Sequence, residues 1–422
     1  MDTSSDSTQS NRPLTGIRVV GLEQYMAGPY CTMLLADAGA EVIKIERPDG
    51  GDPRRSMPPF AERDGVKKAA GYMGYNRNKQ SVTLDFRRPE GREVLERLVK
   101  CSDVLVDNLR PGGLERAGFD YATLNALNPR LIYAAISGFG RLPERRGPYS
   151  DRPAFDIVAE AMSGVMHLVG FEDKPPSWTI YGMADVYSGM VTAYGIMQAL
   201  FMRERTGVGQ MVDSAMYDNI LALNESMVTL YSVAGQSPHR GQPRNAYPRG
   251  AYATKDGYVA VNVPDDRIWR RWCELMERID LVDDSRTRDG SARSEHRAYV
   301  DSVVNTWLAE RTRNEAVEAL NAAGVPTGAV HTAEDVFACP QVAAREMLMS
   351  IDDPEVGTYR FTRTPPHLSA AVDLPANPAP ALGQDTYRVL TDLLGYDDDE
   401  FAALVESGIV DTNSNLVGRL KV

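Results

Sequence analysis

GIRVVGLEQYMAGPYCTMLLADAGAEVIKIE (16–46) reads as strand, helix, strand. GIRVVGLE (16–23) is an apolar run short enough for a buried strand, YCTMLLADAGA (30–40) carries apolar residues at helical spacing and is ended by Gly39, and EVIKIE (41–46) is a second strand. Strands joined through a helix of this length lie parallel, because the connection must cross one face of the sheet. The alternation continues through SVTLDF (81–86), a helix over GREVLERLVK (91–100), DVLVDN (103–108) and LIYAAIS (131–137). The pattern predicts an α/β fold with a mostly parallel, doubly wound sheet.

From 155 the chain turns mainly helical, with a long amphipathic stretch from 186 to about 203, a strand at QMVDSAM (210–216) and a helix from 218 onward. GQSPHRGQPRNAYPRG (235–250) is rich in Pro, Gly and Arg and marks a boundary. Beyond it AYATKDGYVAVNV (251–263) is a hairpin turning at Asp256-Gly257, helices follow, and the Pro-rich LPANPAPALGQ (374–384) leads into a terminal helical hairpin. The expected division is a disordered leader (1–13), a large domain (14–234), a small domain with linkers (235–325) and a return segment with C-terminal helices (326–422).

Hydrophobic residues at 43% and charged residues at 25% are ordinary for a globular protein, and 422 residues give ample interior for a core. The net charge of −12, with no basic run, argues against nucleic acid. Cys31, Cys101, Cys273 and Cys339 form no CxxC pair and read as buried free thiols in a reducing compartment, and the five histidines show no metal-ligand spacing. The polar leader has no apolar core and no window is long enough to span a bilayer, so the expectation is a cytoplasmic protein with no metal and no membrane contact.

No strand runs into GxGxxG or GxxxxGK[ST], which disfavours NAD and ATP by their usual loops. GLEQYMAGPY (21–30) instead places small residues at the carboxyl edge of the first strand, where open α/β sheets bind ligands. Arg47, Arg77 and Lys79 are read in loops beside strand ends, with Arg110 and Arg116 beyond another strand, a clustering that suits an anion with several phosphates. Asp185, in YGMADVYSG (181–189), opens a long helix as either its cap or a carboxylate nucleophile, the second with backbone N–H groups at hand for developing charge; spacing does not decide.

Together these segments resemble the class III CoA-transferases, the family of formyl-CoA:oxalate and carnitine CoA-transferases related to α-methylacyl-CoA racemases. The resemblance runs from Leu14 to about Val410 and is carried by residues 14–52, 76–119, YGMADVYSGM (181–190) and RTGVGQMVDSAMYD (205–218). It implies a Rossmann-like large domain built from both chain ends, a smaller α+β domain and an interlocked homodimer. The substrates it implies are an acyl-CoA and a carboxylic acid, with CoA as a substrate moiety and no separate cofactor. It also implies Asp185 as nucleophile, Asp156 as an auxiliary carboxylate, Arg47, Lys79, Asn108, Leu109 and Arg116 at CoA, and Tyr25, Met26 and Ala27 lining the acyl site. Met26 stands where formyl-CoA transferases carry glutamine, which argues for an acceptor larger or less polar than oxalate. Ala154-Phe155-Asp156 stands where the racemases carry GHD, and phenylalanine moves no proton, which disfavours the alternative of a 2-methylacyl-CoA racemase. A non-catalytic CoA-binding subunit of a hetero-oligomer is a further alternative, opposed by the retention of Asp185. The family's glycine-rich lid has no clear counterpart in 240–250.

Overall fold

The computed structural model describes residues 12–241, 246–372 and 375–411. Most of the leader, and 242–245 within the stretch read for a lid, lie outside the described residues. The described residues divide into two compact units, one formed by 12–170, Lys174–Pro238 and those from Glu346 to 411, the other by Phe171–Asp173 and those between His239 and Arg345.

The first unit is built on β1 (Arg18–Leu22), β2 (Glu41–Glu46), β5 (Lys79–Thr83), β6 (Val104–Asp107), β7 (Ile132–Ser137) and β8 (Met211–Ala215), with a polar hairpin, β3 (Phe60–Arg63) and β4 (Val66–Ala69), between β2 and β5. The six strands stand in the order β5-β2-β1-β6-β7-β8, every neighbouring pair parallel. Alternate residues feed opposite faces. Val20, Leu22, Ile43, Ile45 and Leu105 join one core, whereas Val19, Val42, Val104 and Val106 join the other. The first core also holds Val389, Leu390, Phe401 and Ile409, so the far end of the chain closes that face. The second is covered by helices Ala27–Asp37 and Met183–Thr206. These helices approach closely at Gly189, where a Cβ would stand 2.6 Å from the Ala27 carbonyl oxygen.

The second unit has its own antiparallel sheet, β9 (Arg249–Thr254), β10 (Gly257–Asn262) and β11 (Thr327–Ala329) in the order β11-β10-β9, around a core containing Trp269 and Trp272. The expected hairpin is present, with Thr254 opposite Gly257. A last hairpin, β12 (Leu348–Asp353) and β13 (Gly357–Thr362), belongs to the first unit. The expectation of four buried thiols fails at two positions: Cys31 and Cys273 are buried, but Cys339 is half-buried and Cys101 is exposed, because it follows the last turn of helix Pro89–Lys100 at the surface.

Candidate active site

The sheet order reverses between β1 and β6, where open α/β sheets leave a crevice at the strand ends. The loop after β1 is fastened across it by Asn108, which follows β6. The Asn108 Oδ1 accepts from the Gln24 amide (2.8 Å) and its Nδ2 donates to the Gln24 carbonyl (2.8 Å). A Cβ at Gly28 would sit 2.8 Å from Glu23 Cβ and 2.9 Å from Asn108 Cγ, so only glycine fits there. Beside this clasp lies a cavity of about 280 Å³ whose lining includes Glu23, Gln24, Arg47, Asp85, Arg87 and Leu109.

Next to it the loop turns sharply. Tyr25 has φ +65°, a left-handed backbone that is uncommon outside glycine, and its amide donates to Asp52 Oδ1 (3.2 Å). Its ring meets Phe155 edge to face at 6.1 Å. Met26 is buried against the start of helix Met183–Thr206, so that a Cβ on Gly182 would come within 2.2 Å of its Cε. Tyr25, Met26, Ala27, Phe155, Asp156 and Asp185 thus converge on one corner of the first unit.

At that corner the two readings of Asp185 separate. The helix is entered through Gly182 at φ +81° with no side-chain cap of its own. The cap comes from Asp156, whose Oδ1 accepts from the amides of Ala184 (2.6 Å) and Asp185 (3.2 Å). Asp185 lies in the first turn, half-buried, and among the described residues its carboxyl takes no hydrogen bond, the capping role being filled by Asp156. Burial pushes its pKa up to about 7, the charge of Asp156 adds to the push, and Arg54 pulls the other way. The expectation that free amides at this helix start would face developing charge is overturned. Met183 N–H donates to Ile180, those of Ala184 and Asp185 to Asp156, and that of Val186 to Gly182.

The residues expected at CoA are dispersed more than the sequence suggested. Arg47 is exposed at the crevice, with Asp49 3.9 Å away, and Leu109 lines it. Arg116 is exposed on the short helix Glu115–Ala117. Lys79 and Arg77 are corrections, since neither is a loop cation open to a ligand. Lys79 begins β5 with its side chain fully buried and donates to Glu23 Oε1 (2.7 Å), the Pro29 carbonyl (3.0 Å) and Asn76 Oδ1 (3.0 Å). Arg77 is buried on Asp37 (2.6 Å). Sequence reasoning also passed over Arg54, whose Nη1 donates to the Tyr181 hydroxyl (3.0 Å), and Tyr75, whose pKa is raised by burial and influenced by the charges of Arg54 and Asp185.

A parallel α/β sheet with a crevice at its switch point and an uncapped carboxyl beside it defines a candidate for acyl chemistry on a bound ligand. The chain belongs to CoA-transferase family III, whose model matches residues 14–386. It is similar to the succinyl-CoA–D-citramalate CoA-transferase of Chloroflexus aurantiacus, 36% identical over 407 residues and spanning 96% of this chain and 100% of that one. The succinate–glutarate CoA-transferase of Agrobacterium fabrum is 34% identical over 394 residues, 92% of this chain and 98% of its own. The crystal structure of a CAIB/BAIF family protein from Brucella suis superposes with a TM-score of 0.81 at 36% identity, covering 91% of this chain and 100% of that one. The protein is therefore a class III CoA-transferase.

Proposed function

We propose that the protein moves CoA from an acyl-CoA donor to a carboxylic acid through an aspartyl-CoA thioester on Asp185. The observation that carries this reading is the carboxyl of Asp185, desolvated yet left unspent because Asp156 caps its helix. An Asp185 oxygen attacks the thioester carbon, the C–S bond breaks, and a mixed anhydride and CoA thiolate result. The thiolate attacks the Asp185 carbonyl carbon of the anhydride, which releases the donor acid and leaves the aspartyl-CoA thioester. The acceptor carboxylate then attacks this thioester to give a second anhydride and thiolate. Return of the thiolate to the acceptor's acyl carbon yields the new acyl-CoA and free Asp185, so one exchange is divided into easier acyl transfers. Phe155, whose ring rests on Tyr25 and carries no proton, supports transfer over racemisation.

The nucleophile must be ionised, so kcat/KM for the acyl-CoA is expected to fall as pH drops through about 7. Asp156→Asn keeps an oxygen for the two amides and removes a charge that raises the Asp185 pKa, so the acid limb should move to lower pH. A limb that stays in place would disconnect it from Asp185.

The CoA moiety is assigned to the crevice beside Arg47 and Leu109. Helix Met183–Thr206 exposes Met190, Tyr194, Met197 and Phe201 at helical spacing, an apolar stripe that supports a second copy of this chain covering it, as in an interlocked homodimer. Purified protein given succinyl-CoA and a panel of carboxylic acids, with products read by mass spectrometry, tests the activity. Met26, packed on Gly182 beside the nucleophile, offers an apolar wall where a glutamine would bind a small dicarboxylate, so oxalate is expected to rank below longer acids. Oxalate ranking first would overturn the reading of Met26, and no transfer to any acid would overturn the function.

A further inference from the structure

Two consecutive arginines lie in the short 3-10 helix Pro53–Ser56 and meet opposite environments. Arg55 is saturated. Its Nε and Nη2 donate to Glu46 (2.8 and 2.6 Å), its Nη1 to the Pro380 carbonyl (3.1 Å), and its guanidinium lies 3.8 Å from the Tyr72 ring centroid. Arg54 is not. Its Nη1 reaches the Tyr181 hydroxyl at 3.0 Å, its guanidinium is 5.7 Å from that ring's centroid, and its buried Nε has no hydrogen-bond partner among the described residues. Among the described residues no carboxylate forms an ion pair with it.

The position of Arg54 is nevertheless built. Its amide donates to Asp52 Oδ1 (2.9 Å), the oxygen that also takes the amide of Tyr25 (3.2 Å), while Asp52 Oδ2 is held by the buried Lys44 (2.9 Å). One carboxylate therefore anchors both the base of Arg54 and the strained loop expected to line the acyl site. On its far side the guanidinium fills the space that a side chain at position 71 would need, since a Cβ on Gly71 would lie 2.5 Å from Nε and 2.6 Å from Nη2. Its charge bears on Asp185 and on Tyr75. A half-buried cation fixed in this way and left without an anion is costly alone and well suited to a ligand that brings the anion. The reacting carboxylate of an acceptor is committed to Asp185 and CoA is assigned to the crevice at Arg47, whose lining does not include Arg54, so the anion left for Arg54 is a second carboxylate on the acceptor.

We propose that Arg54, with the Tyr181 hydroxyl, binds the non-reacting carboxylate of a dicarboxylic acid and so sets the enzyme's preference for dicarboxylate acceptors and their CoA esters. This rests on the transfer reaction at Asp185. It agrees with Met26, because an acid that spans from Asp185 to a separate cation is longer than oxalate.

The test compares glutarate with pentanoate, the same carbon chain without the second carboxylate, using succinyl-CoA as donor for both. In a double-displacement reaction kcat/KM for the acceptor reports the second half-reaction, so the donor divides out of the ratio. The wild-type protein is expected to favour glutarate. In Arg54→Ala the glutarate-to-pentanoate ratio should fall about ten- to a hundredfold, the span of a charge-assisted hydrogen bond, with partial recovery in Arg54→Lys. Gly71→Ala, which leaves the charge and displaces the guanidinium, should lower the ratio in the same direction, and it decides the matter if Arg54→Ala does not fold. A ratio unchanged in these variants, with both acids slowed alike, would make Arg54 a general charge partner of Asp185 and overturn the proposal while transfer itself stands. A wild-type preference for pentanoate would overturn it too. No transfer to either acid, with transfer to another acid of the panel, would overturn the proposal alone, and no transfer to any acid would overturn the reaction on which it rests.

Discussion

Asp185→Ala is expected to lower CoA transfer by more than about a thousandfold, the scale seen when a covalent nucleophile is removed. The same variant should unfold no more easily than the wild type, and above neutral pH it should be the more stable of the two. The ordinary aspartate value lies well below 7, whereas burial and Asp156 hold this carboxyl at about 7 in the folded protein. Across that interval the folded state binds more protons than the unfolded one, so stability falls as pH rises through it. Removing the carboxyl removes that loss. The helix start is not weakened in exchange, because the amides of Ala184 and Asp185 belong to Asp156. Thermal midpoints at pH 4.5 and pH 8 decide it, and the gain should appear at the higher pH alone. Transfer at the wild-type rate would end the nucleophile assignment. A midpoint depressed at pH 8 would show that the carboxylate is a structural cap after all. During turnover by the wild type, hydroxylamine should modify Asp185 and no other carboxylate.

The parallel sheet was legible because its strands are buried on both faces and announce themselves as apolar runs: EVIKIE is β2, residue for residue. FAER and VKKA in β3 and β4, and LMSIDD and GTYRFT in β12 and β13, were missed for the converse reason. Their residues are mostly exposed or half-buried, and they form strands because each pairs with its neighbour across a turn. The site divides along a similar line. Tyr25, Met26 and Asp185 could be picked out from local segments. What each polar group spends its hydrogen bonds on could not, because partners are set by the fold. The cap of the Asp185 helix comes from Asp156, at a sequence separation of 28, and the partner of Arg54 is Tyr181, at a separation of 127. Arg54 and Arg55 are the same residue type in adjacent positions, and their surroundings tell them apart, Gly71 and Tyr181 for the first, Glu46 and Pro380 for the second.

Lys79 gives the sharpest case of a charge whose surroundings the sequence hides. As a loop cation it was expected to bind CoA phosphates, and its loss would then raise KM. In the fold its side chain is fully buried, as are those of Lys44, Glu23 and Asp52, two positive and two negative groups in contact. Burial pulls the Lys79 pKa down to about 8 against the attraction of Glu23, while Glu23, for all its own burial, is held below the ordinary glutamate value by Lys79 and Lys44. Removing one member of such a set strands an uncompensated charge. Lys79→Met should therefore cost about 3 to 5 kcal/mol of stability. The effect should reach the site through a definite route, since Lys44, which shares Glu23 with Lys79, also holds Asp52, and Asp52 carries the amides of Tyr25 and Arg54. Arg47→Ala is the contrast. Arg47 is exposed at the crevice, so its loss should leave the denaturation midpoint unchanged and raise KM for the acyl-CoA by about tenfold, with kcat little altered. Urea denaturation and steady-state kinetics on the two variants separate these roles. A Lys79→Met protein as stable as the wild type but with a raised KM for the acyl-CoA would return Lys79 to the ligand, and would mean that the lysine leaves Glu23 when CoA binds.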